Sequence, residues 1–131
     1  MLQISLKSEY GLLFLLALHR VGDKKHLSLS AVSRHNHLPY RFLSQIATDL
    51  KKAGLVDSKE GSRGGYFLIK DLKTVSLADV IRILDGEMGL IHCQREGQCA
   101  REKTCRIKGV WQKVQNEIDG VLSKYSVADL A

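Results

Sequence analysis

The three cysteines of this chain lie in one short polar segment, and this segment constrains the fold more than any other feature. They follow the regular spacing Cys93-x5-Cys99-x5-Cys105. Because the segment has almost no apolar side chains apart from the sulfurs, it has little reason to fold around itself. Three thiols on one loop, with Gly97 allowing the backbone to turn, can supply three thiolates to a soft metal centre.

The spacing of the cysteines distinguishes between a structural zinc site and an iron–sulfur cluster. Structural zinc sites usually bring their ligands in as close pairs, with about two residues between cysteines. Five residues between each pair suit a larger centre such as an iron–sulfur cluster. A fourth ligand would then be a non-cysteine side chain, a small molecule or a residue of a second chain. The simpler alternative is three ordinary thiols, with or without a regulatory disulfide.

Length and hydropathy predict one domain with an appendage. The chain has 131 residues, of which 44% are hydrophobic, enough for a core. No run reaches the roughly 18 to 20 apolar residues of a membrane span, and no leader sequence is recognisable, so we expect a cytoplasmic protein without a membrane partner. In that reducing compartment, three cysteines are better explained as ligands than as a disulfide framework.

The excess positive charge is confined to one stretch of the chain. Residues 24–73 contain ten Lys or Arg and four Asp or Glu, whereas the rest of the chain contains ten of each. This distribution is typical of a module that binds a polyanion, most often nucleic acid. A solvated basic face is the alternative that charge alone leaves open.

Helix start and stop signals in the same stretch predict a helix-turn-helix. Ser28 can cap a short helix that runs to about His35. Pro39 is placed to open a second helix that runs to Ala53, with Gly54 as its terminator. Two short helices joined by a tight turn form this motif.

The second of these helices has two distinct faces. The stripe expected to face the core consists of Phe42, Leu43, Ile46, Ala47, Leu50 and Ala53. The face predicted to bind DNA carries Tyr40, Arg41, Ser44, Gln45, Thr48 and Lys52. In a major groove, Arg can read guanine and Gln can read adenine. An ordinary solvated helix face is the alternative, which the local charge makes less attractive.

A predicted hairpin follows the helix-turn-helix directly. Two β-prone runs between Leu55 and Ile69 flank a Gly-rich polar tip. Such a hairpin is a wing, and we expect Lys59, Ser62 and Arg63 at its turn to contact phosphates or the minor groove.

Two further helices complete the predicted domain. Ser8 is expected to cap a buried first helix over residues 10–21, and Ser76 a helix from Leu77 to Met88. The predicted fold is therefore mainly α with a small β-hairpin.

A last helix carries an apolar stripe after the domain is already closed. Its members fall at steps of three and four: Ile107, Val110, Trp111, Val114, Ile118, Val121, Leu122 and Tyr125. A stripe without a partner in its own domain predicts a homodimer, which suits a palindromic DNA site. The expected organisation is a winged helix-turn-helix domain over residues 1–90, a cluster-binding loop over 91–106, and a dimerisation helix with its tail over 107–131.

These features together resemble the Rrf2 family of bacterial winged-helix iron–sulfur transcription regulators, which includes IscR-like, NsrR-like and RirA-like members. The resemblance runs through the first helix, the wing sequence Arg63-Gly64-Gly65-Tyr66, the three cysteines and the Trp-containing last helix, so it covers essentially the whole chain. The triple cysteine is its most specific part.

The resemblance implies roles for individual residues. The three cysteines match the cluster ligands of the family. In IscR-like members a histidine three residues after the last cysteine completes the site, but this chain has Lys108 there. In NsrR-like members a carboxylate near the start of helix 1 reaches across from the partner subunit, and Glu9 stands at that position, with His92 as a nearer alternative. The resemblance also places Arg41, Ser44 and Gln45 at base-reading positions, with Ser44 replacing a glutamate.

The function implied is a homodimeric DNA-binding transcription regulator, repressor or activator, that senses iron, nitric oxide or redox state. A 4Fe–4S cluster is favoured over a 2Fe–2S cluster. The alternative is a regulator of the same fold switched by thiol oxidation or zinc. An enzyme is not expected, because the sequence has no nucleophile–base pair, no phosphate-binding glycine loop and no paired carboxylates.

Overall fold

A computed structural model describes residues 2–22, 25–97 and 99–131. Asp23 and Lys24, at the start of the predicted basic stretch, lie outside these ranges. Within them are six α-helices and one antiparallel pair of strands, which confirms the predicted fold class. The helices are α1 (Leu6–Val21), α2 (Leu29–Asn36), α3 (Tyr40–Lys52), α4 (Leu77–Asp85), α5 (His92–Glu96) and α6 (Lys108–Lys124).

Helix α1 begins earlier than the sequence predicted. Its cap is Ser5, whose side-chain oxygen accepts a 3.0 Å hydrogen bond from the backbone N–H of Ser8. The prediction of Ser8 as the cap is therefore wrong. Ser8 is fully buried within the first helical turns, where its hydroxyl donates to Asp85 at 2.6 Å. The predicted end at Val21 is confirmed, and Gly22 follows it with a φ of 81°.

The helix-turn-helix follows its local signals closely. The side chain of Ser28 accepts from the backbone N–H of Ala31 at 3.1 Å and caps α2. His37 takes the left-handed conformation after it, and extended Pro39 precedes α3. The inner face of α3 is completely buried and consists of Leu43, Ile46, Ala47 and Leu50.

Two residues of the stripe predicted for α3 do not face the core. Phe42 is 42% exposed, because it precedes the buried Leu43 by one position and so points about 100° away from it. Its ring packs edge-on against Tyr10, with the ring centroids 5.8 Å apart. Ala53 is exposed because α3 ends at Lys52. The prediction was wrong for Phe42 and Ala53.

The hairpin consists of β1 (Val56–Lys59) and β2 (Gly65–Leu68), with Val56 opposite Leu68 and Lys59 opposite Gly65. Leu27 adds a short bridge to Tyr66 through two backbone hydrogen bonds of 3.0 and 2.7 Å. This bridge holds the hairpin against the segment that leads into α2.

Glycine is required at Gly65. Its φ is 144°, and a Cβ there would lie 2.5 Å from the backbone carbonyl carbon of Leu27. This conformation and this close approach both exclude a side chain.

Helix α4 closes the domain but is shorter than predicted. Ser76 and Asp79 form a reciprocal capping box at its start. The helix ends at Asp85, because Gly86 adopts a φ of 83°, so the predicted end at Met88 was three residues too late. Its inner side, with Val80 and Leu84, packs into the same core as α1 and α3.

Helix α6 stands at the surface, and the tail returns to the core. No residue of α6 is fully buried, and an ion pair of 2.5 Å between Arg82 and Asp119 holds it against α4. After the helix, Val127 is fully buried and its backbone N–H donates to the carbonyl of Val75 at 2.8 Å. In the described part of the chain, no helix has the length and hydropathy of a membrane span.

Candidate nucleic-acid interface and cysteine cavity

The outer face of α3 presents every side chain predicted to bind DNA there. The exposed members are Tyr40, Arg41, Ser44, Gln45, Thr48 and Lys52. The Thr48 hydroxyl donates to the backbone carbonyl of Ser44 at 2.9 Å, so its proton is committed within the helix and its oxygen remains as an acceptor. Arg41 and Gln45 therefore offer the strongest hydrogen-bonding groups for base edges on this face.

The tip of the hairpin carries the other residues that were predicted to contact DNA. Lys59, Ser62 and Arg63 are all exposed around the turn at residues 60–64. The turn is closed by a 3.0 Å bond from the backbone N–H of Gly64 to the carbonyl of Gly61.

Lys51 orients the hairpin relative to α3, and sequence reasoning missed it. Its ammonium donates to the hydroxyl of Ser58 at 2.8 Å and lies 3.5 Å from the carboxylate of Asp57. Together with the backbone N–H of Ser58, which is the largest cause, Lys51 lowers the pKa of Asp57. The contact joins residues that are not neighbours in any local pattern, so no sequence signal pointed to it.

The basic residues of the described part of the stretch are all exposed. They are Lys25, Arg34, Arg41, Lys51, Lys52, Lys59, Arg63, Lys70 and Lys73. Exposed cations in excess over acidic residues attract the phosphates of a nucleic acid.

The three cysteines come together around shared cavities. All three are free and half-buried. They line a cavity of about 360 Å³, hereafter the cysteine cavity, whose other walls include His92 and Arg101. The same three residues also line a smaller adjoining cavity of about 40 Å³. The structure thus brings together the thiols that were predicted to act as one site.

The short helix α5 presents Cys93 to this cavity and was not predicted. It ends at Gly97, which has a φ of 73° and donates its backbone N–H to the carbonyl of Cys93. A helix of five residues in a polar segment has too few apolar positions to leave a periodic signal.

Cys105 lies just before the first turn of α6. The backbone N–H groups of Ile107 and Lys108 donate to its sulfur and hold the pKa of its thiol below the usual range. The charges of Arg101 and Lys108 act in the same direction. A sulfur at a helix N-terminus among cations is stabilised as a thiolate.

Three cysteines around one cavity are a donor set that suits an iron–sulfur cluster. In residues 2–22, 25–97 and 99–131, no group of three His, Cys, Asp or Glu side chains is arranged to hold one metal ion. An iron–sulfur cluster distributes its ligands over several iron atoms, so thiolates on different walls of one cavity suit it. Backbone N–H groups beside a sulfur, as at Cys105, are among the features that tune such centres when the sulfur is a ligand.

The candidates for a fourth ligand are placed differently. His92 lines the cysteine cavity beside Cys93. Glu9 is exposed on α1 and is not among the residues that line either cavity. Its predicted role stays a prediction that depends on a second copy of the chain.

Lys108 lines the smaller cavity. Its ammonium lies 2.7 Å from the carboxylate of Glu102. This carboxylate is the main cause that raises the pKa of Lys108, and the sulfurs of Cys93 and Cys105 raise it further.

Two contacts connect the start of α1 to the rest of the fold, and the sequence had given no sign of them. The hydroxyls of Ser5 and Ser8 both donate to the carboxylate of Asp85, at the end of α4, over 2.6 to 2.7 Å. Lys7 forms a 2.8 Å ion pair with Asp49 of α3. The turn of α1 that carries Glu9 therefore contacts both α3 and the element that leads into the cysteine segment.

Known proteins resemble this chain over nearly its full length. CymR of Bacillus subtilis is 28% identical over 130 residues, which cover 99% of this chain and 90% of CymR. IscR of Escherichia coli is 25% identical over 129 residues, covering 98% and 80% respectively. Both are HTH-type transcriptional regulators.

Solved structures of CymR and IscR proteins also match the fold of this chain. The structure of B. subtilis CymR, described as that organism's global cysteine regulator, matches with a TM-score of 0.80 at 29% identity, covering 100% of this chain and 97% of that one. IscR of T. potens matches with a TM-score of 0.76 at 29% identity, covering 98% and 85%.

The family model described as Rrf2, iron-dependent transcriptional regulator, matches residues 4–131. These relatives are regulators and not enzymes, as the sequence predicted. With its exposed recognition helix, its wing and this full-length match, the chain belongs to the Rrf2 family of DNA-binding transcriptional regulators.

Proposed function

We propose that two copies of this chain bind a palindromic operator, and that an iron–sulfur cluster held by Cys93, Cys99 and Cys105 adjusts this binding. The observation that carries the proposal is that all three cysteines line one cavity at the start of α6. DNA binding itself follows from the family. The cluster, the dimer and the palindrome are the proposed parts.

The exposed apolar side of α6 supports the dimer. Val110 is 64% exposed, Val121 51% and Trp111 38%. Several large apolar side chains exposed on one helix are typical of an interaction surface, and a two-fold pair of helices would cover both copies with the same residues. Such a pair also places two recognition helices for a site with two-fold symmetry.

Four side chains are the proposed ligands of the cluster. The cysteines would supply three ligands, and Glu9 of the second copy is the proposed fourth, with His92 as the alternative. When bound, the cluster would supply one-electron redox chemistry and sensitivity to oxygen, nitric oxide and loss of iron. A carboxylate is a weak ligand for such a soft centre, which would leave the site reactive.

The contacts of α1 supply a route from the cavity to the recognition helix. Glu9 lies one residue after Ser8, which is bonded to Asp85, and two residues after Lys7, which is paired with Asp49 of α3. Binding or release of the cluster by Glu9 would therefore move α1 relative to both α4 and α3. Coupling between two sites in regulators of this kind is typically about 1–3 kcal/mol.

A second candidate is regulation through the cysteine thiols themselves. The lowered pKa of Cys105 favours the reactive thiolate. Zinc held by the same cysteines is the other form of this alternative.

Anaerobic purification followed by metal analysis and DNA titration tests the proposal. We expect a coloured protein with iron and sulfide, whose operator affinity, measured by fluorescence anisotropy, changes roughly 5- to 150-fold when the cluster is removed. The variant Cys105→Ser should behave like the stripped protein. Equal affinities of the loaded and stripped forms would remove the cluster-sensing proposal, while a colourless protein whose affinity responds to thiol oxidants would favour the second candidate.

A further inference from the structure

Lys108 is the first residue of α6 and contributes to the wall of the smaller cavity. The other lining residues there are Cys93, Gly97, Cys99, Glu102 and Cys105. Its backbone N–H donates to the sulfur of Cys105. The same residue thus supplies a hydrogen bond to one proposed ligand and a charged side chain beside all three.

The ammonium of Lys108 is held in place by its partner. It lies 2.7 Å from Oε1 of Glu102, which lines the same cavity. Lys108 interacts electrostatically with the sulfurs of Cys93 and Cys105. The backbone N–H groups of Ile107 and Lys108 are the main causes that lower the pKa of the Cys105 thiol, and the charge of Lys108 lowers it further.

We propose that Lys108 tunes the reduction potential of a cluster bound by the three cysteines, by keeping a positive charge at the cavity wall. This inference rests on the cluster part of the proposed function. A cluster with thiolate ligands gains one further negative charge when it accepts an electron from an external one-electron reductant such as dithionite. No bond to Lys108 forms or breaks in that step. A nearby cation stabilises the more negative form and raises the potential.

Redox titration of the anaerobically prepared holoprotein with dithionite tests this. The midpoint potential would be followed by visible absorbance in the wild type and in Lys108→Gln, Lys108→Arg and Lys103→Gln. We expect a more negative potential for Lys108→Gln and an unchanged one for Lys108→Arg, which keeps the charge. Lys103 is the matched control, because it is exposed in the same segment and does not line either cavity.

The variant Glu102→Gln gives a second measurement with the opposite sign. It removes the carboxylate that partly neutralises Lys108, so the net positive charge at the cavity wall rises and we expect a less negative potential. An unchanged or more negative potential would overturn the proposal even if Lys108→Gln does not retain a cluster. Circular dichroism of the cluster-free variants verifies that each has folded.

The possible outcomes separate this inference from the function it rests on. Equal potentials in all variants, or an equal shift in Lys103→Gln, would overturn the role of Lys108 and leave the cluster in place. If no variant and no wild type binds a cluster after reconstitution with ferrous iron and sulfide, both the inference and the cluster proposal fail.

Discussion

The hydroxyl of Ser8 donates a 2.6 Å hydrogen bond to the carboxylate of Asp85, and so joins the first helix to the end of α4 across 77 positions of sequence. Ser8 is fully buried, while Asp85 stands at the surface and also accepts from Ser5. The carboxylate therefore holds the first turn of α1 close to the end of α4.

Removal of this hydroxyl is expected to lower stability. Hydrogen bonds to charged groups contribute about 1.5–3 kcal/mol, so Ser8→Ala should lower the free energy of unfolding by roughly 2 kcal/mol. Urea denaturation measures this. Ser30→Ala, at an exposed position of α2, is the control and should change stability by less than about 0.5 kcal/mol. Equal unfolding midpoints for the two variants would contradict the role of the Ser8 bond.

Substitutions on the outer face of α3 should affect sequence discrimination. Arg41→Ala and Gln45→Ala should each weaken operator binding by about 1–3 kcal/mol, because a bidentate contact to one base is worth that much. Binding to scrambled DNA should weaken less. Anisotropy titrations with both DNAs measure the difference, with Lys113→Ala on α6 as the control. An equal loss on both DNAs would mean that these side chains contact only phosphates.

The wing should contribute through charge. Each phosphate neutralised by a protein cation contributes about 0.9 to the slope of log affinity against log salt concentration. Arg63→Ala should therefore reduce the magnitude of that slope by about 0.9 on operator DNA. Lys103→Ala, outside the basic stretch, should leave the slope unchanged. An unaltered slope for Arg63→Ala would place the wing tip away from the DNA.

The position of Gly65 predicts a large difference between two glycine substitutions. Gly65→Ala would place a Cβ against the backbone of Leu27 at a φ of 144°, and should destabilise the fold by more than about 2 kcal/mol. Gly120→Ala lies inside α6, where a Cβ meets nothing within 4 Å, and should stabilise it by about 0.5–1 kcal/mol. Thermal unfolding compares the two, and a similar effect of both would refute the steric argument.

The environment of Cys105 predicts the pH dependence of its alkylation. Backbone N–H groups at the start of α6 lower its pKa, so in the folded, cluster-free protein the thiolate should persist below the usual thiol pKa of about 8.5. In a variant with Cys93→Ser and Cys99→Ser, the pH of half-maximal reaction with iodoacetamide should be lower than for the same protein in urea. Equal values in the two conditions would contradict this.

The lowered pKa of Cys105 also determines how this thiol contributes to folding stability as the pH changes. A depressed folded-state pKa favours the ionised form, so its contribution is present above the unfolded pKa and is lost as the pH falls through the lowered folded value.

Local signals predicted the elements that carry DNA binding. The cap at Ser28, the proline at Pro39 and the spacing of the buried side chains of α3 are all short-range features. The structure agrees with them to within one residue at the helix boundaries. The exposure of Arg41 and Gln45 was predicted from the same helical spacing, which places them opposite the buried side chains of α3.

The errors at Phe42, Ala53 and Met88 were local, at the edge of a helix face or at a helix end. The other failures came from contacts between distant parts of the chain. Ser8 looked like a cap because nothing in the sequence indicated Asp85 as its partner. Lys51 was passed over because its contact with Ser58 depends on how the hairpin folds back onto α3. The predicted role of Glu9 involves a second copy of the chain, and local sequence signals do not describe contacts between two copies.

The return of Val127 to the core gives α6 a fixed far end. The helix has 17 residues and so extends about 25 Å from the cysteine cavity to the tail. Because the tail is bonded to Val75, a tilt of about 5° around this pivot would displace the first turn by roughly 2 Å. Helix α6 thus spans the distance between the cysteines, beside its first turn, and the core that supports α3, into which its tail inserts Val127.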